Sequence, residues 1–217
     1  KILWQENFAK NAKYRRMYEL KAVVDDQSWR EKFKLDFAPF SRTYMTGVIG
    51  TNVKVGIKED GSGDLSAELD LKETAIVLPK MGWRKSRKVV ATATVNAAFV
   101  KSGFTSIPKV TVQGGGMDLR ANISFGAPGN LKSIAIDRFR FGQTDLHAIV
   151  APLAGGGWDM DVSGKRLNLV EWLASEDDSL VRRKSEPLTL SLNIDDVQLY
   201  PNKSLQHVNG VMAFDGW

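Results

Sequence analysis

The stretch that decides the fold of this chain is residues 63–88, GDLSAELDLKETAIVLPKMGWRKSRK. Every second residue from Leu65 to Leu71 is apolar, and the residues between them are acidic or hydroxylic. A period of two places alternate side chains on opposite faces, so the segment is a predicted β-strand with one dry face and one wet face. After a break the apolar pattern continues to Leu78. The strand then ends at Pro79, which has no N–H to donate to a neighbouring strand.

A basic loop follows this strand and is predicted to lie at the rim of the sheet. It brings five cations and a tryptophan into nine residues, and the next strand is predicted to begin at Val89. The candidate rim residues are Lys80, Trp83, Arg84, Lys85, Arg87 and Lys88. The pattern therefore indicates a sheet edge that carries a tryptophan and a cluster of positive charge.

The same alternation recurs along the rest of the chain. It runs without a fault from Met117 to Phe125 and resumes from Leu188 to Ile194. A change of phase at Asp137 predicts a β-bulge. Because the connections between these segments are short, we predict a mainly β fold of about ten or eleven strands. They would form one continuous, twisted or curved antiparallel sheet, shaped as an open groove or half-barrel.

Two or three short helices are predicted beside the strands. Asp25 and Asp26 are good N-caps for a helix that reaches Phe33. Residues 168–174 form a second predicted helix, with an asparagine at its start. The spacing of apolar residues in residues 2–13 is compatible with a third. These helices are too few and too short to cover a sheet of the predicted size.

Composition is compatible with one β-rich domain of 217 residues. Its predicted parts are an entry region (1–60), a central meander (61–165), a short helix with a charged loop (166–187) and the final strands (188–217). The first residue is not methionine and the last lies in an alternating run, so we expect a fragment of a larger protein. No run reaches the roughly 18 apolar residues of a membrane-spanning helix.

The net charge of +5 does not by itself identify a partner. The cations lie in separate loops and no helix or aromatic signature for reading bases accompanies them, so nucleic acid is not expected to bind. Cysteine is absent, which excludes disulfides and thiolate metal sites.

The sequence contains no recognisable catalytic or metal-binding constellation. His147 and His207 have no Ser, Cys or second His at a motif spacing. The glycines at 114–116 precede another alternating strand rather than a helix, which argues against a phosphate-binding loop. Residues 60–64 lack the closing glutamate of a calcium loop and instead predict a hairpin turn. We therefore expect no enzyme activity, no cofactor and no metal.

The remaining feature is the apolar face of the predicted sheet. One interpretation is a closed β-sandwich core, and the other is an open trough that holds an apolar ligand. The lining residues of this face are Leu65, Ala67, Leu69, Leu71, Met117, Leu119, Ala121, Ile123, Phe125, Ile134, Ile136, Leu146, Ala148, Val150, Trp158, Met160, Val162, Leu188, Leu190, Leu192 and Ile194.

Several of these segments also resemble repeats of the AsmA-like family of bacterial envelope proteins, the YhdP/TamB-type group. The similarity is carried by the LDL, LP and GWRK elements of the first stretch and by DDQSWREKF, MTGVIGTNVKV, MDLRANISF, SIAIDRFRF and GWDMDVSGKRLNLVEWL, in that order. The family pattern continues from the lysine into Gly, a small residue, Pro and Ala. Here the corresponding residues are Lys88, Val89, Val90 and Ala91, which do not predict the tight turn of the family.

The resemblance implies a periplasmic segment tethered to the inner membrane through residues outside this chain. It implies a β-groove that shields or carries phospholipid acyl chains towards the outer membrane, beside flanking repeats of the same protein. The rim cations would then hold anionic headgroups, or form no more than a solvated loop. An alternative role is an interaction module that uses its sheet edges to stack repeats or assemble envelope proteins. A third, a hydrolase of envelope lipids or glycans, lacks a candidate nucleophile.

Overall fold

The computed structural model describes residues 2–7, 9, 12–32, 34, 40–79, 82–174 and 186–216. Within them there are fourteen strands and two short helices. The strands are β1 (Ile2–Glu6), β2 (Arg16–Asp25), β3 (Met45–Ile57), β4 (Gly63–Asp70), β5 (Thr74–Leu78), β6 (Trp83–Lys85), β7 (Ala91–Val100), β8 (Gly103–Gly114), β9 (Met117–Ala127), β10 (Asn130–Phe141), β11 (Thr144–Pro152), β12 (Trp158–Asn168), β13 (Leu188–Tyr200) and β14 (Lys203–Phe214). The helices are α1 (Asp26–Glu31) and α2 (Val170–Ala174).

The strands form one open sheet that does not close into a barrel. Its order is β1-β2-β3-β4-β7-β8-β9-β10-β11-β12-β13-β14, so sequence neighbours are also spatial neighbours except where β5 and β6 branch away. In the described part of the chain β1 and β14 are the two edges. The prediction of a mainly β, continuous open sheet with short helices is confirmed.

One strand pair is parallel, so the prediction of a wholly antiparallel meander was wrong. β12 and β13 pair in parallel, with Trp158 beside Leu188 and Asn168 beside Gln198. The connection that carries α2 therefore returns the chain to the end of the sheet where β12 began. Short loops predict antiparallel neighbours, whereas this connection is long enough for a crossover.

The strand predicted from Leu65 to Leu78 is instead two strands, β4 and β5. β4 ends at Asp70, whose side chain accepts a hydrogen bond from the Lys72 N–H at 2.9 Å. β5 then pairs with the first part of β3, through Met45 beside Ile76, while β4 pairs with the second part. β5 and β6 thus form a hairpin beside the main sheet.

The predicted helix within residues 2–13 is instead strand β1. Ile2 lies beside Leu20 and Trp4 beside Tyr18, so these apolar side chains join rows of the main sheet. For so short a segment, pairing with β2 outweighs any local preference for helix.

The two other predicted helices are present. The Asp25 side chain accepts a 2.7 Å hydrogen bond from the Ser28 N–H and caps α1. The Asn168 side chain accepts one from the Val170 N–H at 2.9 Å at the start of α2. The predicted end of the first helix, Phe33, lies outside the described residues. The bulge predicted at Asp137 is confirmed, because the register of β10 shifts there against both neighbours.

Fully buried apolar side chains lie almost entirely towards one end of the strands, which we call the covered margin; the opposite end is the open margin. The first buried cluster contains Trp29, Met45, Ile49, Leu71, Ile76, Trp83, Ala91, Met117 and Phe141, and the second contains Leu146, Ile194 and Val197. α1 and the β5–β6 hairpin supply the cover of the first cluster, and Leu169 beside α2 packs against the second.

The hairpin and α2 meet above this margin. A Cβ atom on Gly82, which has a φ of +60°, would lie 2.3 Å from the Glu171 Cγ. Only a glycine fits at this approach, since real Cβ atoms do not come so close to another carbon. Helix α1, the β5–β6 hairpin and α2 thus form a continuous cap over the covered margin.

One face of the sheet is polar and carries a row of alternating charges near the covered margin. Asp118, Arg140, Asp145, Arg166 and Asp196 are successive cross-strand neighbours from β9 to β13. The Arg166 guanidinium contacts the Asp196 carboxylate at 2.7 Å across the parallel pair. Opposite charges in register stabilise strand pairing, so this row favours the observed alignment.

Replacing Asp145 by Asn is expected to weaken the acid dependence of stability. The hydrogen bond from Arg140 holds the pKa of the Asp145 carboxyl below its ordinary value. Such a carboxyl adds stability above its unfolded pKa of about 3.9, and the contribution is lost as the pH falls through the folded pKa. Urea midpoints measured from about pH 5 to pH 2 should therefore fall more steeply for the parent than for D145N. Equal slopes would contradict the prediction, and D159N, at an exposed carboxylate on the same face, is the control.

Candidate functional site

The face opposite the charge row is apolar across the whole sheet. One cross-strand row passes through all twelve strands of the main path: Ile2, Leu20, Val53, Ala67, Val95, Val110, Ala121, Ile136, Ala148, Val162, Leu192 and Gly210. A second row, nearer the open margin, contains Ile107, Ile123, Ile134, Val150, Met160, Leu190 and Met212. Strand spacings of about 4.8 Å make the first row about 53 Å long.

Away from the covered margin, the described residues form no second layer over this face. Ile123, Ile134 and Val150 lie in the middle of the sheet, yet each remains partly exposed. In a two-sheet sandwich the residues at such positions face a partner sheet about 10 Å away and are fully buried. Among the described residues, the fully buried apolar side chains belong to the two clusters, apart from the small Ala97. We call the partly exposed region the trough.

The structure divides the predicted lining residues into two groups. Seventeen of them are partly exposed and lie on the trough side of the sheet. Leu71, Met117, Leu146 and Ile194 are buried in the clusters at the covered margin, so they form core rather than accessible lining. Leu69 and Leu119 occupy the transition, since they are partly exposed and also pack against the first cluster.

Sequence reasoning missed the aromatic side chains at the open margin. Phe99 and Phe104 are cross-strand neighbours beside the β7–β8 turn, and Phe214 lies beside Leu188 at the end of β14. With the predicted Phe125 they make the open margin rich in aromatic rings, and Phe104 is 42% exposed. These aromatic residues lie beside turns, in strands that the alternation predicted. That position was the signal in the sequence that could have identified them.

Trp158 also lies at this margin. Its indole Nε1 donates a 2.9 Å hydrogen bond to the Glu186 carboxylate. A tryptophan with an apolar ring and a satisfied polar atom suits a boundary between an apolar surface and water. The open margin is therefore the boundary at which the apolar face of the sheet meets water.

The basic loop lies at the covered margin, and two of its six candidates are not available at a rim. Trp83 is 7% exposed and donates from Nε1 to the Gly115 carbonyl at 3.0 Å. Lys85 is 2% exposed, and its Nζ donates to the Thr74 carbonyl at 2.6 Å. Burial lowers the pKa of Lys85. Both were expected at the surface because their neighbours in the chain are charged, but the alternation of β6 points them into the cap.

The other candidates of this loop differ in their positions. Arg84, Arg87 and Lys88 are exposed, whereas Lys80 lies outside the described residues. A tight turn forms at Lys88 although glycine is absent, with a φ of +71° at that residue. The three exposed cations flank the cap rather than the trough.

The chemistry-bearing residues outside the trough are dispersed. His147 lies on the polar face opposite Ser163, His207 lies on edge strand β14, and both are exposed. Among the described residues no three His, Asp or Glu side chains are placed to hold a metal ion. One surface depression, of about 780 Å³, is open and is lined mainly by polar-face residues such as Asn52 and Glu68. No helix in the described part of the chain has the length and apolarity needed to cross a membrane.

Comparisons with the sequence models of known families, with curated proteins and with solved structures gave no match to this chain. The resemblance to AsmA-like proteins therefore remains an expectation that rests on the sequence motifs. Any function must be argued from the geometry of the open sheet.

Proposed function

We propose that this chain is a non-enzymatic, lipid-shielding segment of an AsmA-like protein. In this proposal the segment is periplasmic and is tethered to the bacterial inner membrane through residues outside this chain. Its trough covers phospholipid acyl chains on their way between the inner and outer membranes. Flanking repeats of the same protein would continue the trough.

The observation that carries this proposal is the uninterrupted apolar row from Ile2 to Leu192 on an open sheet. Each methylene that moves from water to such a surface contributes about 0.8 kcal/mol, so one long acyl chain gains on the order of 10 kcal/mol. The row is about 53 Å long. One leaflet contributes about half of the roughly 30 Å hydrocarbon core of a bilayer, so more than one acyl chain fits along the trough.

The form of the trough supports carriage rather than storage. Along the first row the lining side chains are aliphatic, and they range in size from alanine to isoleucine and leucine. A lining without polar groups lets an acyl chain move along the row without being held at one position. The charged groups on the opposite face keep the outside of the sheet solvated.

Native mass spectrometry of gently purified protein is expected to show co-purifying phospholipid. The bound species should disappear after solvent extraction and return when phospholipid is added, because the trough regains its apolar cover. Protein that carries no lipid before extraction and takes up none afterwards would contradict the proposal. A soluble headgroup analogue without acyl chains is the control ligand, and it should not bind.

A second candidate function is an interaction module that pairs through its sheet edges. β14 is an edge of twelve residues, and from Ser204 to Phe214 it contains no Lys, Arg, Asp or Glu. Val211 is 70% exposed and Met212 is 55% exposed. Edge strands that avoid pairing usually carry a charge or a proline, so this edge is suited to strand addition. The same mass spectra distinguish the two functions, because this one predicts oligomers without lipid.

A further inference from the structure

The basic loop is held in a fixed orientation by its buried residues. Trp83 and Lys85 point into the cap, where they donate hydrogen bonds to the backbone carbonyls of Gly115, in the β8–β9 turn, and Thr74, at the start of β5. Arg84, between them in β6, must therefore point the opposite way. The exposed residues of this loop thus form a defined surface, unlike those of a solvated loop without anchors.

This surface carries an excess of positive charge. In the described part of residues 71–90 the exposed cations are Lys72, Arg84, Arg87 and Lys88 and the one carboxylate is Glu73, while Glu171 of α2 adds a second carboxylate beside the hairpin. Among the described residues, no carboxylate forms an ion pair with any of the three exposed cations of the loop. Lys88 lies at a φ of +71°, where glycine would be less strained. An unpaired cation at a strained position is a feature that binding of an anion would explain.

Apolar side chains are exposed beside these cations. Val89 is 42% exposed and Val90 is 65% exposed, directly after Lys88 in the chain. Trp172 and Leu173 of α2 are 53% and 40% exposed. α2 reaches the hairpin through the contact of Glu171 with Gly82, so these apolar groups belong to the same cap.

We propose that the outer surface of the cap docks onto an anionic bilayer. The docking surface consists of Arg84, Arg87, Lys88, Val89 and Val90, with Trp172 and Leu173 beside it. Cations attract the negative surface of the bilayer, and neighbouring apolar side chains enter the boundary between headgroups and acyl chains. A nucleic acid would form ion pairs with the cations but would leave the side chains of Val89 and Val90 exposed to water. This docking is distinct from the proposed shielding of lipid, because it does not involve the trough.

Vesicle flotation tests this docking directly. We expect the protein to bind phosphatidylcholine vesicles that contain phosphatidylglycerol and not to bind phosphatidylcholine alone, with binding that falls as salt rises.

Each cation near an anionic surface contributes about a fivefold change in affinity. The variant R84Q/R87Q/K88Q should therefore bind about 100-fold more weakly, and V89S/V90S should lose about tenfold. K88G should lose about fivefold without loss of stability, because glycine accepts this φ.

The matched control removes three cations from the polar face, as K21Q/K54Q/K109Q, and should bind as the parent does. Equal binding by the parent and R84Q/R87Q/K88Q would overturn the proposal, as would binding to phosphatidylcholine alone or no binding to either vesicle. Preferential binding of a nucleic acid oligomer over the vesicles would overturn it too. Native mass spectra of R84Q/R87Q/K88Q separate the two proposals: this variant should keep its trough lipid while it loses vesicle binding.

Discussion

Replacing Leu190 by Asp should abolish acyl-chain binding and leave the protein folded. Leu190 lies in the trough between Met160 and Met212 and belongs to neither buried cluster. Its carboxylate would reach water in the empty trough, so the melting temperature should fall by only about 2–8 °C. An acyl chain on the trough would bury that charge at a cost of several kcal/mol, which corresponds to about a 100-fold loss of affinity.

Fluorescent fatty-acid titration and thermal unfolding measure the two effects separately. N193D is the matched control, because Asn193 lies on the same strand but is exposed on the polar face. It should bind the probe as the parent does. Unfolding of L190D, or unchanged probe binding by a folded L190D, would contradict the trough. L119D is expected to be the less stable variant, since Leu119 also packs against the first cluster.

Replacing Trp83 by Ala should cause the largest loss of stability. Its indole is 7% exposed and its Nε1 donates to the Gly115 carbonyl, so the change removes both packing and a buried hydrogen bond. Substitutions of this kind cost about 3–5 kcal/mol. For a protein of this size the melting temperature should fall by about 6–20 °C, which circular dichroism can follow.

W172A is the matched control for this prediction. Trp172 is 53% exposed at the same margin, so its loss should cost less than about 1 kcal/mol. If W83A and W172A melt at the same temperature, the cap is not a principal source of stability. Lipid occupancy of W83A, measured below its melting temperature, should stay near that of the parent, because the trough lies outside the cap.

More of the apolar face than of the cap could be predicted from the sequence. Alternation along residues 117–125 and 188–194 predicted which side chains share the apolar face, and the register places them there. It also predicted the bulge at Asp137. The burial of Leu71 and Lys85 was not predictable, because it depends on how the β5–β6 hairpin and the β8–β9 turn pack at the covered margin.

The parallel β12–β13 pair and strand β1 were missed for the same reason, because both depend on contacts between segments rather than on a local pattern. Whether β13 runs parallel to β12 is decided by where the connection places its first residue, and the local pattern of either strand reads the same in both directions. β1 is stable only because β2 offers it an edge.

The sequence by itself determined that the chain is mainly β and that one face of each strand is apolar, because a period of two is a local property of the chain. Only the tertiary structure decided that this face is open in the part of the chain that the structure describes. Exposure depends on whether a second layer lies above it, and the cap elements reach only the covered margin. Trp83 and Lys85 show the same limit: they carry the chemistry expected of a rim, but packing against Gly115 and Thr74 made them core.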